Sequence, residues 1–143
     1  MEKTPMRFII FLSVALLYIG CTTAFEETLH ATLKVSDDKV GSVQELKATF
    51  SVINGTSETK TLIFNTGCQF AFTIEKDGKE VFNSMNLVLC TQAITEIVID
   101  PSNKVEFEVS IDQEFELAPG KYQLKAFLLN HDNLESTKTF TIS

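Results

Sequence analysis

Apolar and polar residues alternate one by one along much of this chain, most regularly between Lys104 and Asp112. Successive side chains of a β-strand point to opposite faces of the sheet, so this period of two predicts strands with one buried and one solvated face. The same alternation occurs at residues 29–35, 45–52, 70–74, 122–128 and 140–142, and residues 93–99 are rich in β-branched side chains that favour strands. No segment after residue 21 shows the 3.6-residue apolar period of an amphipathic helix. The pattern predicts an all-β protein.

Turn-forming residues separate these segments. Asn54-Gly55-Thr56-Ser57 and Asp77-Gly78 are hairpin-type signals, and Ala118-Pro119-Gly120-Lys121 places Pro and Gly at the central positions of a type II turn. About eight short strands with such turns predict one antiparallel β-sandwich domain, which we expect to cover residues 28–143. Tyr122 stands at a strand start just after the Pro-Gly turn, the position of a tyrosine corner in Greek-key sandwiches; a plain core aromatic residue fits the pattern equally well.

The first 21 residues have the features of an export signal. Lys3 and Arg7 precede an almost wholly apolar run from Phe8 to Ile19, and Gly20-Cys21 follows. A charged start, a short apolar run and a small residue at the cleavage site are typical of a secretory signal peptide. A cysteine directly after the glycine is typical of bacterial lipoproteins, although Tyr18 and Ile19 are larger than the residues usual before it.

We therefore predict a lipoprotein-type signal peptide at residues 1–20, lipid attachment at Cys21 and a short tether at residues 21–27. These features predict an exported protein of the bacterial cell envelope, anchored to a membrane by its lipid. Two alternatives stay open, namely simple secretion after cleavage beyond Thr22-Thr23-Ala24 and an uncleaved anchor. All three place the protein outside the cytoplasm.

The charge of the exported chain is strongly acidic. Cleavage before Cys21 would remove Glu2, Lys3 and Arg7 and leave ten lysines, no arginine and 18 carboxylates, a net charge of −8. Because such a surface repels phosphate backbones, nucleic acid is excluded as a partner. The same balance argues against a polybasic membrane contact, so the lipid on Cys21 is the predicted membrane tether.

Two cysteines remain once Cys21 is assigned to lipid. An even pair in an exported domain, here Cys68 and Cys90, predicts a disulfide bond. Two buried free thiols or a metal-binding pair are the alternatives, but neither His30 nor His131 has ligand spacing from either cysteine. We expect a structural disulfide and no metal or cofactor.

Residues suited to catalysis are scarce. His30 falls on the polar face of a predicted strand and His131 in a turn, with no Ser or Cys nucleophile near them in sequence, so both are expected to be solvated. The carboxylates Glu106, Glu108 and Asp112 alternate outward along one strand, which is the pattern of a solvated sheet face rather than of a calcium loop. These observations favour a protein that is not an enzyme.

Two further patterns bear on the surface. Asn54-Gly55-Thr56 matches a glycosylation acceptor, which we expect to be idle in a bacterial lipoprotein. Phe127 and Leu129 fall on the strand face opposite Tyr122, where they either cover a second layer or form an exposed contact patch.

The order of several segments resembles a known family. The segments are the strand end Phe50–Asn54, the turn and aromatic strand Phe64–Phe72, the glycine hairpin Asp77–Phe82 and the Pro-Gly-Lys-Tyr strand Leu117–Ala126. Together they are similar to the BsuPI-type family, named for an intracellular proteinase inhibitor, over roughly residues 43 to 130. This chain has no Trp after the hairpin and carries an export signal, and in both respects it departs from that pattern.

The resemblance implies an immunoglobulin-like antiparallel β-sandwich of about eight strands and a protein partner, with a protease as the named case. A Cys68–Cys90 bridge would stiffen the turn at Gly67, which makes residues 65–69 and 83–92 the candidate binding loops, with Asn65, Thr66, Gly67 and Gln69 as the candidate contact residues. The chain is therefore predicted to be an exported, non-enzymatic binding module and proteinase inhibitor. The alternative is a structural or assembly lipoprotein of the envelope that inhibits nothing.

Overall fold

A computed structural model describes residues 28–143 of the chain. The predicted signal peptide, the lipid-attachment residue Cys21 and the tether at residues 21–27 lie outside the described residues. Within 28–143, ten strands run in the order β1 (Leu29–Val35), β2 (Lys39–Val40), β3 (Ala48–Asn54), β4 (Lys60–Phe64), β5 (Phe70–Lys76), β6 (Lys79–Asn83), β7 (Thr95–Ile99), β8 (Lys104–Val109), β9 (Gly120–Leu128) and β10 (Glu135–Ile142). One-turn 3-10 helices lie at Val43–Glu45 and Ser84–Leu87.

In the part of the chain that the structure describes, the strands form three sheets. One has the order β1-β3-β8, a second has the order β2-β10-β9-β5-β6, and β4 and β7 form a two-stranded ribbon. All pairs are antiparallel except β2, which runs parallel to β10. The all-β prediction is confirmed, and β2 and β4 are strands that the alternation did not indicate.

The core lies between the three-stranded and the five-stranded sheet. The ring of Phe50 on β3 stacks at 5.5 Å from that of Phe70 on β5, and Phe70 stacks at 4.9 Å from Phe107 on β8. The inward positions of the alternating segments are the buried ones, as predicted: Leu46, Ala48, Phe50 and Val52 around β3, and Leu124, Ala126 and Leu128 along β9. Burial of each large apolar side chain contributes about 1.5–3 kcal/mol, which makes this two-layer core the main source of stability.

The turns agree only in part with their prediction. Asp77-Gly78 closes the two-residue hairpin between β5 and β6, with φ of 52° and 75° as a type I′ turn requires. The hairpin expected at Asn54-Gly55 is wrong, because β3 pairs with β1 and β8 while β4 pairs with β7. The type II turn expected at Pro119-Gly120 is also wrong. Gly120 has a φ of 151° rather than about 80°, and it already pairs with Ile142 at the start of β9.

Tyr122 combines the two roles that the sequence left open. Its ring is buried and stacks at 5.7 Å from Phe140, with the Nζ of Lys76 at 5.0 Å from its centroid. Its hydroxyl donates a hydrogen bond of 2.7 Å to the carbonyl of Ala118, four residues upstream. A hydroxyl that returns to the backbone just upstream is the geometry of a tyrosine corner.

The outward face of β9 is covered by a mixture of apolar and charged groups. Leu129 packs at the margin of the core, and Phe127 is half-buried opposite Glu135. Glu135 forms an ion pair of 2.7 Å with Lys125 on the same face. This face is therefore neither a second apolar layer nor a fully exposed aromatic patch.

Candidate functional site: two loops joined by a disulfide

The disulfide between Cys68 and Cys90, which are 22 residues apart along the chain, joins two loops. We call residues 65–69, between β4 and β5, the first loop, and residues 84–94, between β6 and β7, the second loop. The predicted pairing of the two cysteines is confirmed. The bond attaches the second loop, whose two ends leave different sheets, to the strand start that carries Phe70.

Hydrogen bonds reinforce the covalent link. The amide of Gly67 donates to the carbonyl of Thr91 at 2.9 Å, and the hydroxyl of Thr66 donates to the same carbonyl at 3.2 Å. From the start of β7, the hydroxyl of Thr95 donates to the carbonyl of Thr66 at 2.8 Å. A Cβ on Gly67 would collide with the Oγ1 of Thr91, so a larger residue at this position would require the exposed Thr91 side chain to rotate away.

The first loop is also attached to the turn between β9 and β10. The amide of Asn65 donates to the Oδ1 of Asn130 at 3.0 Å, and the amide of Leu129 donates to the carbonyl of Gln69 at 3.0 Å. Asn65 and Gly67 are exposed, whereas Thr66 and Gln69 are half-buried. The structure thus brings the four candidate contact residues together beside Cys90, but much of their backbone is engaged in internal hydrogen bonds.

The expectation of a simply solvated side chain is wrong for His131 and close to the structure for His30. His131 is half-buried, with its ring edge-on to Phe64 at a centroid distance of 5.0 Å and its Nε2 3.0 Å from the carbonyl of Ile63. His30 is also half-buried, and its Nδ1 lies 3.4 Å from the carbonyl of Thr28. The His131 ring thus contacts the backbone of β4, 68 residues away in sequence, whereas the His30 contact is local, with a residue two positions upstream.

The second loop is held firmly at its start and is exposed in its middle. The side chain of Asn83 accepts a hydrogen bond from the amide of Met85 at 2.9 Å, and the hydroxyl of Ser84 accepts one from the amide of Phe72 at 2.9 Å. From the last residue of the 3-10 turn onward, the side chains are increasingly exposed: 44% for Leu87, 49% for Val88 and 102% for Leu89. Sequence reasoning suspected the segment but not these side chains, whose signal was an apolar triplet directly before a cysteine.

A second exposed apolar surface lies on the outward face of the β4–β7 ribbon. Ile63 on β4 and Val98 on β7 are each 56% exposed. They occupy diagonal positions, since Ile63 pairs with Glu96 and Val98 pairs with Thr61. The ribbon continues from the two bridged loops at its Phe64–Thr95 end.

The outward carboxylates of β8 form the solvated face that was predicted. Glu106 accepts hydrogen bonds from Lys104 at 2.6 Å and from Ser51 at 3.1 Å, and Glu108 accepts one from Thr49. The hydrogen bond from Lys104 and then that from Ser51 lower the pKa of Glu106 below its usual value of 4.5. Among residues 28–143, no three His, Cys, Asp or Glu side chains are arranged to hold a metal ion.

The glycosylation-like motif has a structural role. Asn54 is fully buried, and its Nδ2 donates to the carbonyls of Glu58 and Ile99, both at 2.8 Å. Its Oδ1 accepts from the amide of Thr56 at 3.0 Å and from the hydroxyl of Thr56 at 2.7 Å. Because both amide hydrogens of Asn54 are engaged, this side chain is unavailable for modification in the folded protein.

Across residues 28–143, no helix has both the length and the apolar character needed to cross a membrane.

Comparisons with solved structures give distant similarities. One is a β-glucosidase from Erythrobacter marinus, with a TM-score of 0.48 and 11% identity, which covers 81% of this chain and 15% of that one. Another is an alkylpurine DNA glycosylase from Pseudomonas fluorescens bound to DNA with an abasic-site analogue, with a TM-score of 0.45 and 7% identity, which covers 81% of this chain and 31% of that one. A third is a β-glucosidase from Listeria innocua in complex with glucose, with a TM-score of 0.42 and 10% identity, which covers 79% of this chain and 16% of that one. The chain thus spans less than a third of each of these proteins, and likenesses of this size say nothing about function.

No curated protein matches the sequence. The sequence model of one family does match, over residues 29–133, which is most of the chain and nearly all of the described sandwich. The description of that family is intracellular proteinase inhibitor. The chain therefore belongs to the BsuPI family of intracellular proteinase inhibitors.

Proposed function

We propose that this protein is a non-enzymatic binding module that inhibits a proteinase through its two disulfide-joined loops, and that it acts outside the cytoplasm on a lipid anchor. Membership of an inhibitor family supports the activity. The observation that carries the choice of site is the double attachment of the loops, by the Cys68–Cys90 bond and by the hydrogen bond from Gly67 to Thr91.

Rigidity matters because an inhibitor must present its contact segment without a large entropic penalty. Ordering a rotamer-rich side chain on association costs roughly 0.5–1.5 kcal/mol, and a mobile loop adds its backbone to that cost. In this protein the first loop is fixed to the turn between β9 and β10, and the second loop is fixed to the first. The segment between Ser84 and Cys90 is therefore supported from both ends while its middle faces solvent.

Export is supported by residue types on both sides of the predicted cleavage site and by the disulfide itself. The basic start, the apolar run and Gly20-Cys21 are typical of a lipoprotein signal. Structural disulfides persist in oxidising compartments and are rare in the bacterial cytoplasm, so the bridge favours an extracytoplasmic member of a family described as intracellular.

A protease panel tests the proposed activity. The chain from Thr22 onward would be titrated against serine and cysteine proteases under non-reducing conditions, with the Cys68→Ser variant as the matched partner. We expect saturable, stoichiometric inhibition of at least one protease that weakens in the variant. If no protease in the panel is inhibited and the protein captures a stoichiometric envelope partner instead, the structural or assembly function replaces this proposal.

Lipid attachment has its own test. Cells that express the full chain would be labelled with a radioactive fatty acid, beside cells that express the Cys21→Ser variant. We expect label and membrane association in the first and neither in the second. Label retained by the variant, or a soluble unlabelled wild-type protein, would contradict the anchor.

A further inference from the structure

Leu89 has an unusual position for a large apolar side chain. It is 102% exposed, the highest value among the exposed large apolar residues of the described chain, where Ile94 follows at 77%. Its neighbour Cys90 is bonded to Cys68, and the next residue, Thr91, accepts the hydrogen bonds from the first loop. Because the Leu89 side chain is fully exposed, it buries no apolar surface within the fold and adds nothing to the core.

The residue directly before Leu89 has an extended backbone. Val88 has φ of −125° and ψ of 147°, in the β region, directly after the 3-10 turn that ends at Leu87. Proteases bind polypeptide segments in extended form, with one side chain inserted into the primary specificity pocket beside the catalytic centre. The extended conformation of Val88, followed by the fully exposed side chain of Leu89, is compatible with insertion of Leu89 into such a pocket.

We propose that Leu89 is the residue that enters the primary specificity pocket of the target, and that the target is a proteinase whose pocket is an apolar slot. This inference rests on the proposed inhibitory function and deepens it by naming the contact residue and the class of partner. Leu87 and Val88, each about half-exposed, extend the contact on the preceding side. The candidate residues of the first loop, Asn65 and Gly67 among them, then support the loop rather than make the central contact.

The charge of the second loop supports an apolar pocket over a charged one. Residues 84–94 contain no Asp, Glu, Lys or Arg. A trypsin-type pocket, which holds a carboxylate for Lys or Arg, would receive no counter-charge from this loop. The same absence of basic and aromatic residues makes a lipid surface a poor alternative occupant, since loops that insert into membranes combine apolar residues with Lys, Arg or Trp.

Substitutions at Leu89 provide the test, with the panel proteases divided by pocket type. Leu89→Ala removes most of the side chain that would be buried in the pocket of the protease, and we expect inhibition of an apolar-pocket protease to weaken on the order of 10- to 100-fold. Leu89→Lys is expected to shift inhibition toward a trypsin-type protease and away from the apolar-pocket one. Val98→Ala is the matched control, because Val98 is an exposed apolar residue outside the loop, and it should inhibit like the wild type.

The outcomes separate this inference from the function on which it rests. If the wild type inhibits no protease, the proposed inhibitory function fails, and this assignment fails with it. If the wild type inhibits but Leu89→Ala and Leu89→Lys inhibit equally well, only the assignment of Leu89 is overturned. Thermal melting of each variant shows that the domain is folded, since a fully exposed side chain should leave the melting temperature unchanged.

The same proteins test two other binding partners for Leu89, namely a lipid surface and a second copy of this chain. Vesicles of neutral and anionic phospholipid would be sedimented with the wild type and with Leu89→Asp, and the oligomeric state of both would be measured by analytical ultracentrifugation. Binding to vesicles, or a dimer, that is lost in Leu89→Asp while protease inhibition persists would assign the loop to lipid or to a second copy and overturn the proposal.

Discussion

The amide of Gly67 donates a 2.9 Å hydrogen bond to the carbonyl of Thr91, so the residue before one bridged cysteine is bonded to the residue after the other. The covalent and the non-covalent links therefore lie side by side and restrain the same pair of loops. Because the hydrogen bonds of the first loop to Asn130 and Leu129 do not pass through the disulfide, reduction should loosen the second loop more than the first.

Removal of the disulfide is expected to lower stability and inhibition together. In the chain-entropy description, a bridge that closes a loop of this size contributes roughly 3 kcal/mol to the free energy of unfolding. The Cys68→Ser/Cys90→Ser variant should lose about that amount in urea unfolding without reductant. As a control, dithiothreitol should destabilise the wild type to a similar extent and leave the variant unchanged. A variant as stable as the oxidised wild type would show that the disulfide does not stabilise the fold by restraining the unfolded chain.

Asn54 is expected to be among the most sensitive polar positions. Its side chain bonds to two carbonyls and two donors, from the loop between β3 and β4 and from β7, and truncation to alanine would leave the carbonyl of Ile99 buried without this partner. An unsatisfied buried polar group costs about 1–3 kcal/mol, so Asn54→Ala should lower the free energy of unfolding by an amount in that range.

The matched control for Asn54 is Asn133, an exposed residue in the turn between β9 and β10. Asn133→Ala should change stability by less than about 0.5 kcal/mol, as is usual for surface substitutions. Equal losses in the two variants, measured by chemical denaturation, would mean that the network around Asn54 is not a special source of stability.

The sandwich could be predicted from the sequence because the alternation of apolar and polar residues is a local pattern. The alternation around Phe50 and Phe107 depends on neighbouring residues, and both strands turn the predicted face to the core, where Phe50 is fully buried and Phe107 half-buried. By contrast, β4 contains the apolar run Leu62-Ile63-Phe64, in which the exposed Ile63 hides the period of two. Strand β2 is two residues long and too short to show any period.

The candidate site was predicted less completely because its decisive features are tertiary. The cysteines identified the two loops, but the exposure of Leu89 depends on how the second loop is held by Ser84 and Cys90. Asn54-Gly55 indicated a hairpin from local turn preference, whereas its side chain bonds to Ile99, 45 residues away. The spacing of residues along the chain does not predict a contact between residues this far apart in sequence.

The lowered pKa of Glu106 predicts a contribution to stability that depends on pH. A carboxylate whose pKa is lower in the folded than in the unfolded protein stabilises the fold above the unfolded value, near 4.5, and this contribution is lost as the pH falls through the lower folded value. Glu106→Gln should therefore be less stable than the wild type at neutral pH, and the difference should shrink as the pH falls below 4.5.

The difference for Glu106 should be small, because its ion pair with Lys104 is on the surface and is screened by salt. Glu114→Gln is a suitable control, since Glu114 is exposed and outside this hydrogen-bonded group. Thermal melts between neutral pH and pH 3 would measure both; a difference that stays constant down to the acid limit would contradict the role assigned to ionised Glu106.

The hydroxyl of Tyr122 is expected to stabilise the entry into β9. Tyr122→Phe keeps the buried ring, its stacking on Phe140 and the contact with Lys76, and removes only the 2.7 Å hydrogen bond to Ala118. The loss should be about 0.5–1.5 kcal/mol of unfolding free energy, the usual net contribution of such a bond. Tyr122→Leu, which also removes the aromatic ring, should cost clearly more. If Tyr122→Phe unfolds at the same urea concentration as the wild type, the residue acts as a core aromatic alone and the corner hydrogen bond contributes nothing.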